Sequence, residues 1–182
     1  MNAIPMANAF PVGSWLLLAF VACAAYVDWR TSRLPNGLTL GGLACALVAS
    51  LLPQGIGPLD SILGAASALV LLFPLWMLRV TGAGDVKLLA MVGAFLGVPG
   101  IFFAIFLTMA AGGVYALGLG WFGGNLPRIA ANARDMLQVT ALAVLHRDRP
   151  RPDAVASVGK LPYGVCVFAG TASWLAWQAF HR

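Results

Sequence analysis

Thr81-Gly82-Ala83-Gly84-Asp85-Val86-Lys87 sets an acid between glycines at the edge of a long apolar run. A carboxylate placed where water is scarce must find a partner, lose its charge or sit in a polar cavity, which makes it a functional candidate. One other acid, Asp28, is similarly placed, at the end of the first apolar run. The remaining segments read as a frame that brings Asp28 and Asp85 together.

The 182-residue chain is 60% hydrophobic and 9% charged, whereas a soluble domain carries about 25% charged residues. The expected fold class is therefore all-α, a polytopic integral membrane protein, with residues 1–182 forming a single domain in contact with lipid. Eleven Lys and Arg stand against six acids, all of them Asp. In a soluble protein that excess would raise nucleic acid as a partner; here its placement around the apolar runs explains it, and no nucleic acid is expected. Cys23, Cys45 and Cys166 each stand alone in an apolar run, without the spacing of a metal site or a redox pair, and read as small buried hydrophobes. No metal and no other cofactor is expected. From Met1 to Val27 there is no Lys or Arg, so the basic start of a cleavable signal peptide is missing and the first run reads as a retained anchor.

A helix needs about 20 mostly apolar residues to cross the bilayer core. Counted between charges and turn formers, the spans are roughly Phe10 to Val27, Gly37 to Leu52, Leu59 to Leu78 with Pro74 inside, two within the uncharged stretch Leu88 to Pro127, and Leu161 to Phe180. Gly97-Val98-Pro99-Gly100 is the break between the fourth and fifth, and Asn36-Gly37 favours a turn before the second. Between the fifth and sixth, in a loop of about 123–160, apolar residues recur at helical spacing from Ile129 to Val144. That pattern predicts an amphipathic helix on the membrane surface, with an ordinary loop helix as the alternative. Six spans put both termini on one side. Ten of the eleven basic residues fall in the first, third and fifth connectors, so the positive-inside rule places those connectors in the cytoplasm and both termini outside.

Asp28 ends span one and Asp85 begins span four, so two helices running in opposite directions present carboxyl groups at one level, on the cytoplasmic side. Gly82 and Gly84 permit positive φ and close approach of another chain, which would shape a notch beside Asp85; a plain helix N-terminus with Asp85 near its cap explains the same residues. Two neighbouring carboxyl groups share a proton and divide into acid and base, which suits attack of water on a peptide carbonyl. A proton or cation relay in a small transporter uses acids at similar depth, and the residues alone do not decide between the two. Lys87 reads as a helix-end anchor or as a substrate contact, Arg30 and Arg33 as orientation signals, and Asp60 as a helix cap at the far interface.

Asp28 followed by Leu34-Pro35-Asn36, then Gly82-Ala83-Gly84-Asp85-Val86-Lys87, then Leu161-Pro162-Tyr163-Gly164 at the last span, resembles the type IV prepilin peptidases, membrane aspartyl proteases of the GxGD class. The resemblance covers nearly the whole chain. It implies that Asp28 and Asp85 are the catalytic pair, and that Pro35, Asn36, Gly82, Gly84, Lys87, Pro162, Tyr163 and Gly164 shape the active site or bind substrate. It further implies a protein of the bacterial inner membrane whose partner is the helix of a prepilin or pseudopilin, cut at its leader. Long members of that family carry a four-cysteine metal insertion and methylate the new N-terminus. This chain lacks a C-x-x-C pair, so it resembles the short forms serving Flp-type pili, which implies cleavage without methylation. A small transporter or channel, or a structural subunit of a secretion machine, are the readings from other classes.

Overall fold

The computed structural model describes residues 11–77, 81–122 and 163–181, with positions 127, 131 and 134 between them. Apart from those three positions, the surface helix expected over 126–145 lies outside the described residues, as does Pro162. Five α-helices account for the described chain: α1 Pro11–Thr31, α2 Asn36–Ser50, α3 Pro58–Met77, α4 Ala83–Phe122 and α5 Tyr163–Phe180. Among them α1, α3 and α4 are each long and apolar enough to cross a membrane. The chain is an all-helical, multi-pass membrane protein.

Two expectations shift at the helix ends. Asp28 lies inside α1, which runs on to Thr31, and Asn36 is the first residue of α2. The turn is therefore shorter than Asn36-Gly37 suggests, and its positive φ of 49° falls at Ser32. Pro35 caps α2 in an extended conformation, its carbonyl accepting the N–H of Leu38 at 3.1 Å.

Where two spans are expected between Leu88 and Pro127, α4 is one element of 40 residues, interrupted at Gly97. Gly97 has φ 71° and ψ −177°, a region that is essentially glycine's alone, and Pro99 follows at a helix start, where its missing N–H costs nothing. The contacts on either side show the chain reversing there. Before the break, Gly84 lies against Leu34 and Met91 against Gly42, with Phe95 beside Phe20. Beyond it, Phe103 stacks on Trp174 at 4.3 Å and Thr108 meets Gly170, so as α4 advances its partner on α5 recedes toward Tyr163. The first arm of α4 thus leads away from the Asp28 end of the bundle and the second arm returns toward it. Fourteen residues or so of first arm reach only about 20 Å at 1.5 Å each, short of the roughly 30 Å of a bilayer core.

That first arm is the centre of the structure. Val86, Leu88, Leu89, Ala90, Met91, Val92, Ala94 and Phe95 are all buried, whereas Trp15 on α1, Val70 on α3 and Phe106 on the second arm of α4 are exposed. Lipid is as apolar as leucine, so helices in a membrane associate through close packing and a few polar contacts. Here α3 supplies both. Gly64 and Gly93 pack backbone to backbone, so that a Cβ on either would collide with the other's carbonyl. One turn away Ser61 Oγ donates to the Ala94 carbonyl at 2.7 Å, satisfying an acceptor just ahead of the Gly97 break, where helix carbonyls lose their own partners. The cysteine expectation is corrected for two of three: Cys166 is buried, but Cys23 and Cys45 are exposed on the outside of the bundle, where a thiol in lipid needs no partner.

Gly64→Ala should therefore lower the stability of the detergent-solubilised protein by about 1–3 kcal/mol, the usual cost of overpacking. Gly41→Ala, with open space around its Cβ, should leave the unfolding transition unchanged or raised.

Candidate functional site

Asp28 and Asp85 meet at one end of the bundle, brought there by α1 running toward that end and α4 running away from it. Each carboxyl group is held by a backbone N–H at the start of a helix, where unpaired donors and the helix dipole favour a negative partner. Asp28 is buried, and its Oδ2 accepts the N–H of Gly164, in the first turn of α5, at 2.7 Å. Asp85 is half-buried; its Oδ2 accepts the Gly82 N–H at 3.2 Å, while the Gly82 carbonyl accepts the N–H of Asp85 at 3.1 Å. The two carboxyl groups lie within electrostatic reach of one another.

The glycines act by size. Gly82 and Gly84 do not adopt positive φ, which among the described glycines belongs to Gly57 and Gly97. Gly84 lies in the first turn of α4, where a Cβ would come within 3.2 Å of Leu34. The GxGD stretch is thus a helix N-terminus pressed against the α1–α2 turn, and the notch expected from left-handed glycines is a notch made by absent side chains. Gly164 is tighter still: a Cβ there would stand 2.9 Å from Asp28 Cβ and 3.2 Å from the Ala24 carbonyl. Only a bare backbone lets α5 bring its N–H onto Asp28.

Around this pair stand most of the other expected residues. Lys87 Nζ donates to Asn36 Oδ1 at 2.9 Å, clasping the start of α2 to the first turn of α4. Pro35 holds the turn that carries Leu34 to Gly84, and Tyr163 precedes Gly164 with its ring on the apolar core. Arg30 sits over the Tyr26 ring, 5.5 Å from its centroid. Asp60 lies in the first turn of α3 near Gly97, at the opposite end, where a cap was expected. A surface cavity lined by Val12, Leu17, Ser50 and Phe95 among others is also at that end and apart from the acids. Sequence reasoning missed the roles of Leu34, as the filler against Gly84, and of the Gly164 N–H, since neither pattern nor composition signals a backbone donor.

Two aspartates, Asp28 near the end of α1 and against the start of α5 and Asp85 in a Gly-x-Gly-Asp turn at the start of α4, define a candidate site in a multi-pass helical membrane protein. Comparison with known families narrows this: the chain belongs to the type IV leader peptidase family, whose pattern it matches over residues 15–117, a stretch that includes both acids. A curated relative from Aeromonas salmonicida is 31% identical over 117 residues, covering 58% of this chain and 38% of the relative. One from Xanthomonas campestris pv. campestris is 34% identical over 109 residues, 56% of this chain and 38% of the relative. A third, from Neisseria gonorrhoeae, is 34% identical over 114 residues, with 58% and 40% covered. All three are named prepilin leader peptidase/N-methyltransferase, and the chain spans well under half the length of each. No solved structure matches.

Gly164→Ala should separate α5 from Asp28. The expected result is a drop of about 1–3 kcal/mol in stability, while Gly113→Ala, whose Cβ meets nothing, serves as a neutral control in the same thermal-unfolding assay.

Proposed function

We propose that this chain is an intramembrane aspartyl endopeptidase that removes the leader from type IV prepilins, Flp-type prepilins or pseudopilins at the cytoplasmic face of the bacterial inner membrane. The observation that carries the reading is the meeting of Asp28 and Asp85 at one end of an apolar bundle, each on a helix-start N–H. Family membership supports prepilins as the substrate class, and so do the names of the relatives.

In this mechanism Asp28 and Asp85 share one proton, since two carboxylates in one site do not comfortably both ionise. Asp28, with the short bond from Gly164, is the member suited to act as base; Asp85, with the longer one, is the acid. Asp28 takes a proton from water as the water oxygen bonds to the scissile carbonyl carbon, and Asp85 gives its proton to the carbonyl oxygen. When the resulting diol collapses, one hydroxyl proton returns to Asp85, the C–N bond breaks, and the leaving nitrogen takes the proton held by Asp28. A prepilin presents a polar leader in the cytoplasm and an apolar helix in the membrane, so its cut lies at the interface where the two acids are expected. Gly82, Gly84, Pro35, Asn36, Lys87, Pro162, Tyr163 and Gly164 form the walls against which an opened segment of that helix rests.

Six crossings underlie this orientation, with the two arms of α4 counted as the fourth and fifth and both termini outside. Cleavage proceeds without N-methylation, because no paired cysteines are present to build the metal insertion of the long forms. Asp28 is the one charged residue buried among the described residues, so a relay of protons across the bundle has no further ionisable stations and the transporter reading is not favoured.

Co-expressed with a cognate prepilin, the protein should produce the size shift of leader removal, and Asp28→Asn and Asp85→Asn should each lower the rate by about 10⁴-fold or more, as loss of an essential catalytic group does. Retained cleavage in either variant defeats the dyad. In a separate topology assay, a reporter inserted after Gly55 should appear outside and one inserted after Arg149 inside; the reversed pattern removes the acids from the cytoplasmic face.

A further inference from the structure

Tyr163 opens α5 one residue ahead of Gly164, whose N–H holds Asp28. Its ring packs on the apolar core, but its buried hydroxyl oxygen has no hydrogen-bond partner among the described residues. An unpaired buried hydroxyl costs about 1–3 kcal/mol, so for packing alone phenylalanine would serve better. Ser14, Thr108, Thr171, Trp174 and Gln178 also have buried unpartnered polar atoms but lie away from the acids; Thr81, just ahead of α4, has one as well, on a short side chain outside any helix. Tyr163, by contrast, stands one residue from the Gly164 N–H that Asp28 Oδ2 accepts at 2.7 Å. A phenol is rigid: its oxygen stays where the ring puts it, so the donor is aimed before any substrate arrives.

We propose that Tyr163 Oη is the hydrogen-bond donor that receives the carbonyl oxygen of the scissile peptide as water adds to its carbon. This rests on the peptidase reading above. The carbonyl oxygen gains negative charge as the C–O bond to water forms, before the proton of Asp85 has fully reached it. A donor fixed at that position, where water is scarce, is stronger than in solution and acts mainly on the transition state. The Tyr163 O–H bond stays intact throughout, so the proton balance between Asp28 and Asp85 is unchanged. The phenol thereby makes a third catalytic group beside Asp28 and Asp85.

The test is steady-state cleavage of a purified prepilin by the full-length protein and by Tyr163→Phe, which keeps the ring and removes only the donor. The expected result is a fall in kcat of about 10²- to 10³-fold with KM changed less than about threefold, as for loss of one oxyanion donor, and with thermal unfolding unchanged or raised. An active parent whose Tyr163→Phe variant keeps kcat within threefold, or loses only in KM, overturns the inference and leaves the peptidase reading standing. A parent that cleaves no prepilin while Asp28 and Asp85 are intact overturns that reading, and the inference with it. If Tyr163→Phe does not fold, 4-fluorophenylalanine at 163, which fills the same space without an O–H donor, replaces it: kcat must fall by about 10²-fold or more, and a kcat within threefold of the parent overturns the inference.

Discussion

A carboxylate in apolar surroundings needs a donor, and here the backbone provides it. Asp28 Oδ2 takes the N–H of Gly164 at 2.7 Å, so the first helix of the bundle completes the N-terminus of the last. That bond answers two needs at once, since α5 begins with orphan N–H groups and Asp28 ends its run in a buried position. It also fixes how near α5 comes: a side chain on Gly164 would drive against Asp28 and Ala24. Much of the geometry at this end follows from that approach, including the placement of Tyr163 at the start of α5.

The rest of the bundle obeys a related rule. With no hydrophobic drive between helices in lipid, closeness comes from small residues and from backbone atoms left free. Gly64 on Gly93 brings α3 and α4 into contact, and Ser61 takes up the Ala94 carbonyl beside the break at Gly97. The break lets α4 reverse, so that one arm forms the core and carries Asp85 while the other lies along α5. An unbroken helix of the same length would carry the second arm out of the bundle and leave α5 without its long partner.

Function and packing therefore draw on the same residues. Gly84 makes room for Leu34 and so sets α4 against the turn after α1, which draws Asp85 toward Asp28. Lys87 and Asn36 tie the same two segments from the outside. Acids at a membrane edge need to be held by backbone groups, because side-chain donors there are few.

The amino-acid pattern by itself determined the class of structure and the two acids. Long uncharged runs, breakers at their ends and acids at two of those ends leave little else for a chain of 9% charge, because charge is expensive in lipid and its positions stand out. The Gly97 break was legible for the same reason, as a cluster of glycine and proline inside an apolar run. The tertiary structure decided what Gly82, Gly84 and Gly164 are for. A glycine in sequence offers either freedom of φ or absence of bulk, and only the neighbour that fills the space, Leu34 in one case and Asp28 in the other, tells which is used. It also decided that a main-chain N–H, which every residue but proline carries and no pattern can mark, is the group that holds Asp28.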